Sequence, residues 1–216
     1  MSSNLKKRII TSFVLLIFLL LSFINYFLLG YFLLIITLLS LIEFFAITAN
    51  IFAKNKNKIF LTNIIFIIFI FFISGIIFIL SSYFHLKILI FLLLLTCVVS
   101  DIGGFISGNV FKGPKLTKIS PNKTISGAVG SLVFSSIFVT LTIGYMTNNF
   151  ELNSIIVGLI TSIGCQSGDL FFSFLKRKSS LKHTGNILPG HGGILDRIDG
   201  MLLGIPLGFL TLLIVY

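Results

Sequence analysis

Long apolar runs separated by short polar stretches fill this chain from end to end. Seven runs have the length of a membrane-crossing helix: roughly Ile9–Leu29, Tyr31–Ala49, Ile59–Leu80, Ile88–Gly108, Ile125–Met146, Ile155–Leu175 and Gly200–Tyr216. About 20 apolar residues carry a helix across a hydrocarbon core. A helix also satisfies its own backbone groups there, where no water can. The first two runs nearly touch at Gly30 and predict a tight helical hairpin. The last, at 17 residues, is at the short end of what spans. The pattern predicts an all-α, polytopic integral membrane protein of about seven transmembrane helices.

Composition agrees. The 216 residues are 56% hydrophobic and 10% charged, which excludes a soluble globular domain. Lys6, Lys7 and Arg8 precede the first run as they would in a signal peptide. That run is too long for one, and a second follows at once, so a retained signal anchor is expected. Cys97 and Cys165 fall inside apolar segments without metal-ligand spacing and read as packing residues.

Charge orients the spans. With the N-terminus cytoplasmic, 15 of the 16 Lys and Arg residues fall on the inner side and only Lys87 falls outside. The positive-inside rule then predicts a cytoplasmic N-terminus, an external C-terminus and an odd number of spans. The net charge of +10 reads as topology and anion attraction at a bilayer, with no nucleic-acid partner expected. No repeat or linker divides the chain, so residues 1–216 are expected to form a single membrane domain. Residues 1–99 read as an apolar scaffold. Residues 100–216 read as the half that carries chemistry.

The acids are few and oddly placed. Six exist: Asp101, Asp169, Asp196, Asp199, Glu43 and Glu151. Asp101 and Asp169 interrupt apolar runs, and Asp196 and Asp199 open the last one. An ionisable group at membrane depth is expensive and is a functional hypothesis by default. Four carboxylates in a basic chain suggest a bound divalent metal and a strongly anionic substrate.

Four stretches carry this chemistry. Ser100-Asp101-Ile102-Gly103-Gly104 runs on to Gly108, and Gly104 with Gly108 makes a GxxxG. That spacing suits a homodimer or ordinary internal packing. Residues 112–127 hold four lysines, Ser120, Lys123, Thr124 and two prolines, groups that meet phosphate oxygens. By charge alone that loop reads better as a topology signal or a contact for anionic lipid. Thr124 or Ser126 is expected to cap the fifth helix. In Gln166-Ser167-Gly168-Asp169, Asp169 lies two helical turns before Lys176 and one before Ser173, so the three share a face. That face suits either metal under phosphate or a buried ion pair. Lastly, Pro189-Gly190-His191-Gly192-Gly193 leaves backbone N–H groups bare ahead of Asp196 and Asp199, which share a face at i, i+3. The alternative there is a loop with a helix cap and a surface ion pair.

The stretch SFLKRKSSLKHTGNILPGHGGILDRIDG resembles the signature of the phosphatidate cytidylyltransferase family, also called CDP-diacylglycerol synthases. Ser173, Lys176, Arg177, Lys182, Gly185, Pro189, His191, Gly192, Gly193, Asp196, Arg197 and Asp199 match its pattern. Gln166, Gly168 and Asp169 resemble a Q-x-G-D block. Ser120, Pro121, Lys123, Thr124 and Gly127 resemble an S-P-x-K-T block, and Asp101, Gly103 and Gly108 a D-x-G block. The likeness covers residues 98–205. It departs at His183, where the family usually has Asp, and at Ile125 and Ser126, where it usually has an aromatic and an acid. Most of the family also carries further N-terminal helices.

The resemblance implies that CTP and phosphatidate give CDP-diacylglycerol and pyrophosphate at a Mg2+-dependent site. That site would lie on the cytoplasmic face of the inner membrane. It implies Asp169 and Asp199 as metal ligands, with Asp196 beside them serving a second cation such as K+. Asp101 would join the metal shell or orient substrate. Ser120, Lys123, Thr124, Ser173, Lys176, Arg177, Lys182 and Arg197 would hold substrate. His191, Gly192 and Gly193 would line the reacting phosphates. A transporter for an organic anion would instead need polar groups through both leaflets, and here they cluster on one side. No aromatic-and-amide pocket for cytosine is legible in the inner loops.

Overall fold

A computed structural model of the chain describes residues 3–181, 183–185, 187, 189 and 192–216, with side chains from Ile9 onward. The helices among the described residues are α1 Ser3–Ile24, α2 Tyr26–Ile51, α3 Lys56–Leu80, α4 Phe84–Phe111, α5 Ile125–Thr147, α6 Leu152–Lys178, α7 Leu195–Ile198 and α8 Met201–Val215. Among the described residues six segments are long and apolar enough to cross a membrane; α1 contributes a shorter apolar stretch, Ile9–Ile24. The protein is therefore an all-helical, multi-pass membrane protein. Along the long helices the outward side chains are largely apolar, as with Phe13, Phe72 and Leu141, which suits a surface that meets lipid.

The first hairpin breaks at Asn25 and not at Gly30, which lies inside α2. The reason is capping. The Asn25 side chain accepts hydrogen bonds from the N–H groups of Phe27 at 2.9 Å and Leu28 at 3.3 Å. These are donors that a new helix leaves unpaired, and in hydrocarbon they need a partner. Gly30 serves packing instead: a β-carbon there would sit 2.7 Å from the Phe78 ring. Thr124 caps α5 as expected, accepting from Gly127 N at 3.1 Å, while Ser126 bonds the Thr124 hydroxyl at 3.0 Å. Asn148 ends α5 in the left-handed conformation at φ 56°, which Asn tolerates better than most residues.

The chain folds into two compact units, each made of two stretches. Unit 1 comprises residues 1–87 and 175–198; unit 2 comprises 88–174 and 199–216. In unit 1, α2 packs against α1 and α3. Phe44 and Phe66 stack with centroids 3.8 Å apart beside fully buried Ile47. Lys87, the cation outside the basic pattern, is buried. Its ammonium donates to Phe23 O at 3.0 Å, satisfying a carbonyl at the end of α1.

Unit 2 packs α4, α5, α6 and α8 through small residues, so that backbones approach closely. A β-carbon on Gly127 would lie 2.8 Å from Gly104 O, and one on Gly158 would lie 2.6 Å from Ser136 Cα. The GxxxG face of Gly104 and Gly108 thus packs on α5 within the unit. Cys97 and Cys165 are buried free thiols, consistent with a packing role. Serines tie the helices further: Ser100 and Ser162 share a hydrogen bond of 2.8 Å, and Ser131 donates to Ser100 O at 2.7 Å.

Candidate active site

A cavity of about 400 Å³ opens in unit 2. Asp101 and Gly104 reach it from α4, Gln166 and Asp169 from α6, and Ser120, Asn122, Lys123 and Thr124 from the loop before α5. That loop is folded on itself. Leu116 N donates to Lys123 O at 2.8 Å and Ile125 N to Pro114 O at 3.0 Å. The turn carries Lys123 to the cavity, where its ammonium pairs with the Asp169 carboxylate. Ser173, one turn on, donates to the other Asp169 oxygen at 3.2 Å. Five residues expected from three separate blocks, Asp101, Ser120, Lys123, Thr124 and Asp169, are thereby brought to one cavity.

Asp199 belongs to the same unit and is buried, with one oxygen accepting from Gly200 N at 2.9 Å. Gly168 explains how its segment reaches α6. A β-carbon at 168 would overlap Asp199 O and stand 3.2 Å from Gly200 Cα. The Gly that precedes Asp169 therefore admits the 199–200 backbone against the helix.

In unit 1 the signature residues form a second cluster. Asp196 takes Lys176 Nζ on Oδ1 at 2.7 Å, and the N–H groups of Thr184 at 3.0 Å and Gly193 at 3.4 Å on Oδ2. Both oxygens face donors, so Asp196 stands here as an anchor whose partner is a cation of the protein itself. Gly192 has φ +87°, a conformation few residues but Gly adopt, and a β-carbon there would crowd Asp196 Oδ2 at 3.2 Å. Arg177 and Arg197 are exposed. His191 and Lys182 lie outside the described residues.

His183, where the sequence departs from the expected Asp, places Nδ1 3.6 Å from Asp196 Oδ2 and is more than half exposed. That separation is too long for a hydrogen bond. An exposed pair of this kind contributes at most about 1 kcal/mol. His183→Ala is therefore expected to change turnover by less than about fivefold, measured as initial rate against wild type.

The donors at the unit 2 cavity suit a hard divalent cation. Among the described residues no three His, Cys, Asp or Glu side chains come together as a ready-made cage. Mg2+ does not require one: it binds through one or two carboxylates and completes its shell with water and substrate phosphate. Asp101 and Asp169 provide such carboxylates at the cavity; both oxygens of Asp169 face Lys123 and Ser173, as those of Asp196 face Lys176 and two N–H groups.

A model of the Cytidylyltransferase family matches residues 3–215. The chain belongs to that family. Among curated members it is 40% identical over 113 residues to a phosphatidate cytidylyltransferase of Helicobacter pylori, covering 52% of this chain and 42% of that protein. It is 39% identical over 128 residues to one of Rickettsia felis, covering 55% and 56%. A third, of Mycobacterium leprae, is 38% identical over 114 residues, covering 52% and 36%. The chain spans about half the length of the curated relatives it matches.

Two features of this cytidylyltransferase-family chain were missed by reading its sequence. Asn109, Asn122, Gln166 and Phe105 border the cavity, so amide and aromatic groups are present although no local pattern announced them. Glu43 is the other. It is buried in α2 and accepts hydrogen bonds from Thr184 Oγ1 at 2.7 Å and from the N–H groups of Ile194 and Leu195, both at 2.9 Å. The rule that flagged the aspartates applies equally to an acid in the second apolar run, and Glu43 could have been singled out by it.

Proposed function

We propose that the chain transfers the cytidylyl group of CTP to phosphatidate, giving CDP-diacylglycerol and pyrophosphate. The observation that carries this reading is the unit 2 cavity, where two intramembrane carboxylates, a lysine and hydroxyl groups from separate blocks converge. Its support is the family and the activity for which the relatives are named. The membrane would be the inner one, with the basic loops and the site on the cytoplasmic face.

The chemistry asked of the protein is positioning and charge neutralisation. The phosphate of phosphatidate is already a nucleophilic anion, so no strong general base is needed. Its oxygen bonds to the α-phosphorus of CTP as the bond from that phosphorus to the pyrophosphate oxygen breaks. Lys123 is placed to meet phosphate oxygens, with Ser120 and Thr124 as hydroxyl partners. Asp169 and Asp199 are proposed metal ligands, with Asp101 completing the shell or orienting substrate. Mg2+ held there would neutralise phosphate oxygens and stabilise the leaving pyrophosphate. Asp196 is proposed as a positioning carboxylate, with Lys176 fixed by it. Arg177, Arg197, Lys182 and His191 remain proposed substrate contacts.

The direct test is purified protein in detergent with phosphatidate, labelled CTP and Mg2+. Formation of labelled CDP-diacylglycerol with equimolar pyrophosphate is expected; absence of both refutes the reading. Lys123→Ala is expected to raise KM for CTP. A hydrogen bond to a charged group contributes about 1.5–3 kcal/mol, which corresponds to about 10- to 100-fold. An unchanged KM would remove Lys123 from the nucleotide site.

A further inference from the structure

Glu43 has no part in the chemistry proposed above, yet it is among the most carefully satisfied acids in the protein. Its carboxylate is buried at 3% exposure, far in sequence from every group it holds. Three donors converge on it: the Thr184 hydroxyl on Oε2, Ile194 N on Oε1 and Leu195 N on Oε2. Thr184 is itself shared. Its N–H donates to Asp196 Oδ2 and its hydroxyl to Glu43, so one buried threonine joins the two carboxylates.

The glycines around Glu43 fit this arrangement. A β-carbon on Gly185 would lie 2.6 Å from Glu43 Oε1, and one on Gly193 would lie 2.5 Å from Oε2. Both ends of the signature loop, residues 183–185 and 192–195, thus close on the same carboxylate. A loop tied at both ends by charge-assisted bonds loses conformational freedom before substrate arrives. In a buried site each such bond is also costly to break, since an unpaired donor would be left behind.

We propose that Glu43 is the positioning residue of the signature loop: it holds both ends of the loop in the arrangement in which Lys176 and Asp196 pair. Glu43 touches no substrate and acts through Thr184, Ile194 and Leu195. This rests on the activity proposed above only for its kinetic arm, because the structural arm reads the loop directly.

Glu43→Gln keeps the shape but turns one acceptor oxygen into a donor facing donors. Thr184→Val removes the shared hydroxyl, and Thr184→Ser restores it. The experiment measures amide hydrogen exchange at residues 184–195 in the full-length protein, together with kcat and KM for CTP. In Glu43→Gln, exchange at Ile194 and Leu195 is expected to rise at least about tenfold, the factor set by loss of about 1.4 kcal/mol of local protection. Exchange in α5 should stay at its wild-type rate. Turnover should fall mainly in kcat, with Thr184→Val following in the same direction and Thr184→Ser recovering most of both losses. Wild-type exchange at Ile194 and Leu195 in Glu43→Gln would overturn the anchor. Raised exchange with unchanged kcat would overturn the positioning role. Exchange raised across α5 as well would also overturn it, because Glu43 would then support the whole fold. If the wild-type protein itself makes no CDP-diacylglycerol, the proposed activity fails while the exchange arm still judges the anchor.

Discussion

Asp169→Asn is expected to lower CTP-dependent turnover by at least about a hundredfold, with KM for CTP unchanged or reduced. The substitution keeps the side-chain shape, and its amide oxygen can still accept from Ser173. What disappears is the charge that pairs with Lys123 and would hold a cation there. Removing one group placed for charge that develops in the transition state typically costs about 10²–10³-fold. Binding should move the other way, because Lys123 is released from its pair and becomes available to phosphate. The split between kcat and KM therefore distinguishes a metal-holding carboxylate from one that merely fixes the loop. Initial rates over a CTP series, with melting temperature as a control for folding, decide it. Turnover within tenfold of wild type in Asp169→Asn would remove Asp169 from the metal site; the same result in Asp199→Asn would remove its partner.

Gly158→Ala should be strongly destabilising, and Gly75→Ala should not. The added methyl carbon at 158 meets only backbone: Ser136 Cα at 2.6 Å, Ser135 O at 2.8 Å and Ser136 N at 2.9 Å. No rotamer change relieves a clash with backbone, so α5 and α6 must separate and lose contacts along their length. Overpacking of this kind costs about 1–3 kcal/mol and occasionally more. At Gly75 nothing lies within 4 Å of the added carbon. There the change replaces a poor helix former by the best one, a gain of about 1 kcal/mol. Thermal melting in one detergent should therefore move down for Gly158→Ala and stay level or rise for Gly75→Ala. Equal shifts would mean that glycine packing does not set the α5–α6 approach.

Much of the candidate site was legible because intramembrane charge is costly wherever it sits. That rule isolated Asp101 and Asp169 without any knowledge of neighbours, and both line the cavity. By charge alone Lys123 was one of four lysines in a basic loop, and only the likeness to the S-P-x-K-T block marked it out. The loop's own hydrogen bonds select it, by turning residues 116–123 so that this lysine meets Asp169. Asp196 was expected beside a metal, and the structure adds a partner that its spacing did not announce, the Lys176 ammonium. Glu43 falls under the same rule as the aspartates; what no pattern announced is its set of partners, a hydroxyl and two backbone N–H groups.

By itself, the sequence determined the helical, membrane-spanning class, the approximate spans and a shortlist of candidate site residues. Each follows from a local requirement: backbone groups in hydrocarbon must bond within their own segment, and each buried charge must have a reason. Even where it erred locally, at Gly30, the correction was local, since Asn25 is one residue that caps one helix. Only the tertiary structure decided which of the candidate residues meet. Lys123 and Asp169 sit on different elements, and Glu43 is 151 residues from Ile194. Such pairings depend on how closely helices pack, which unit 2 settles through glycines and serines whose spacing alone does not name their partner.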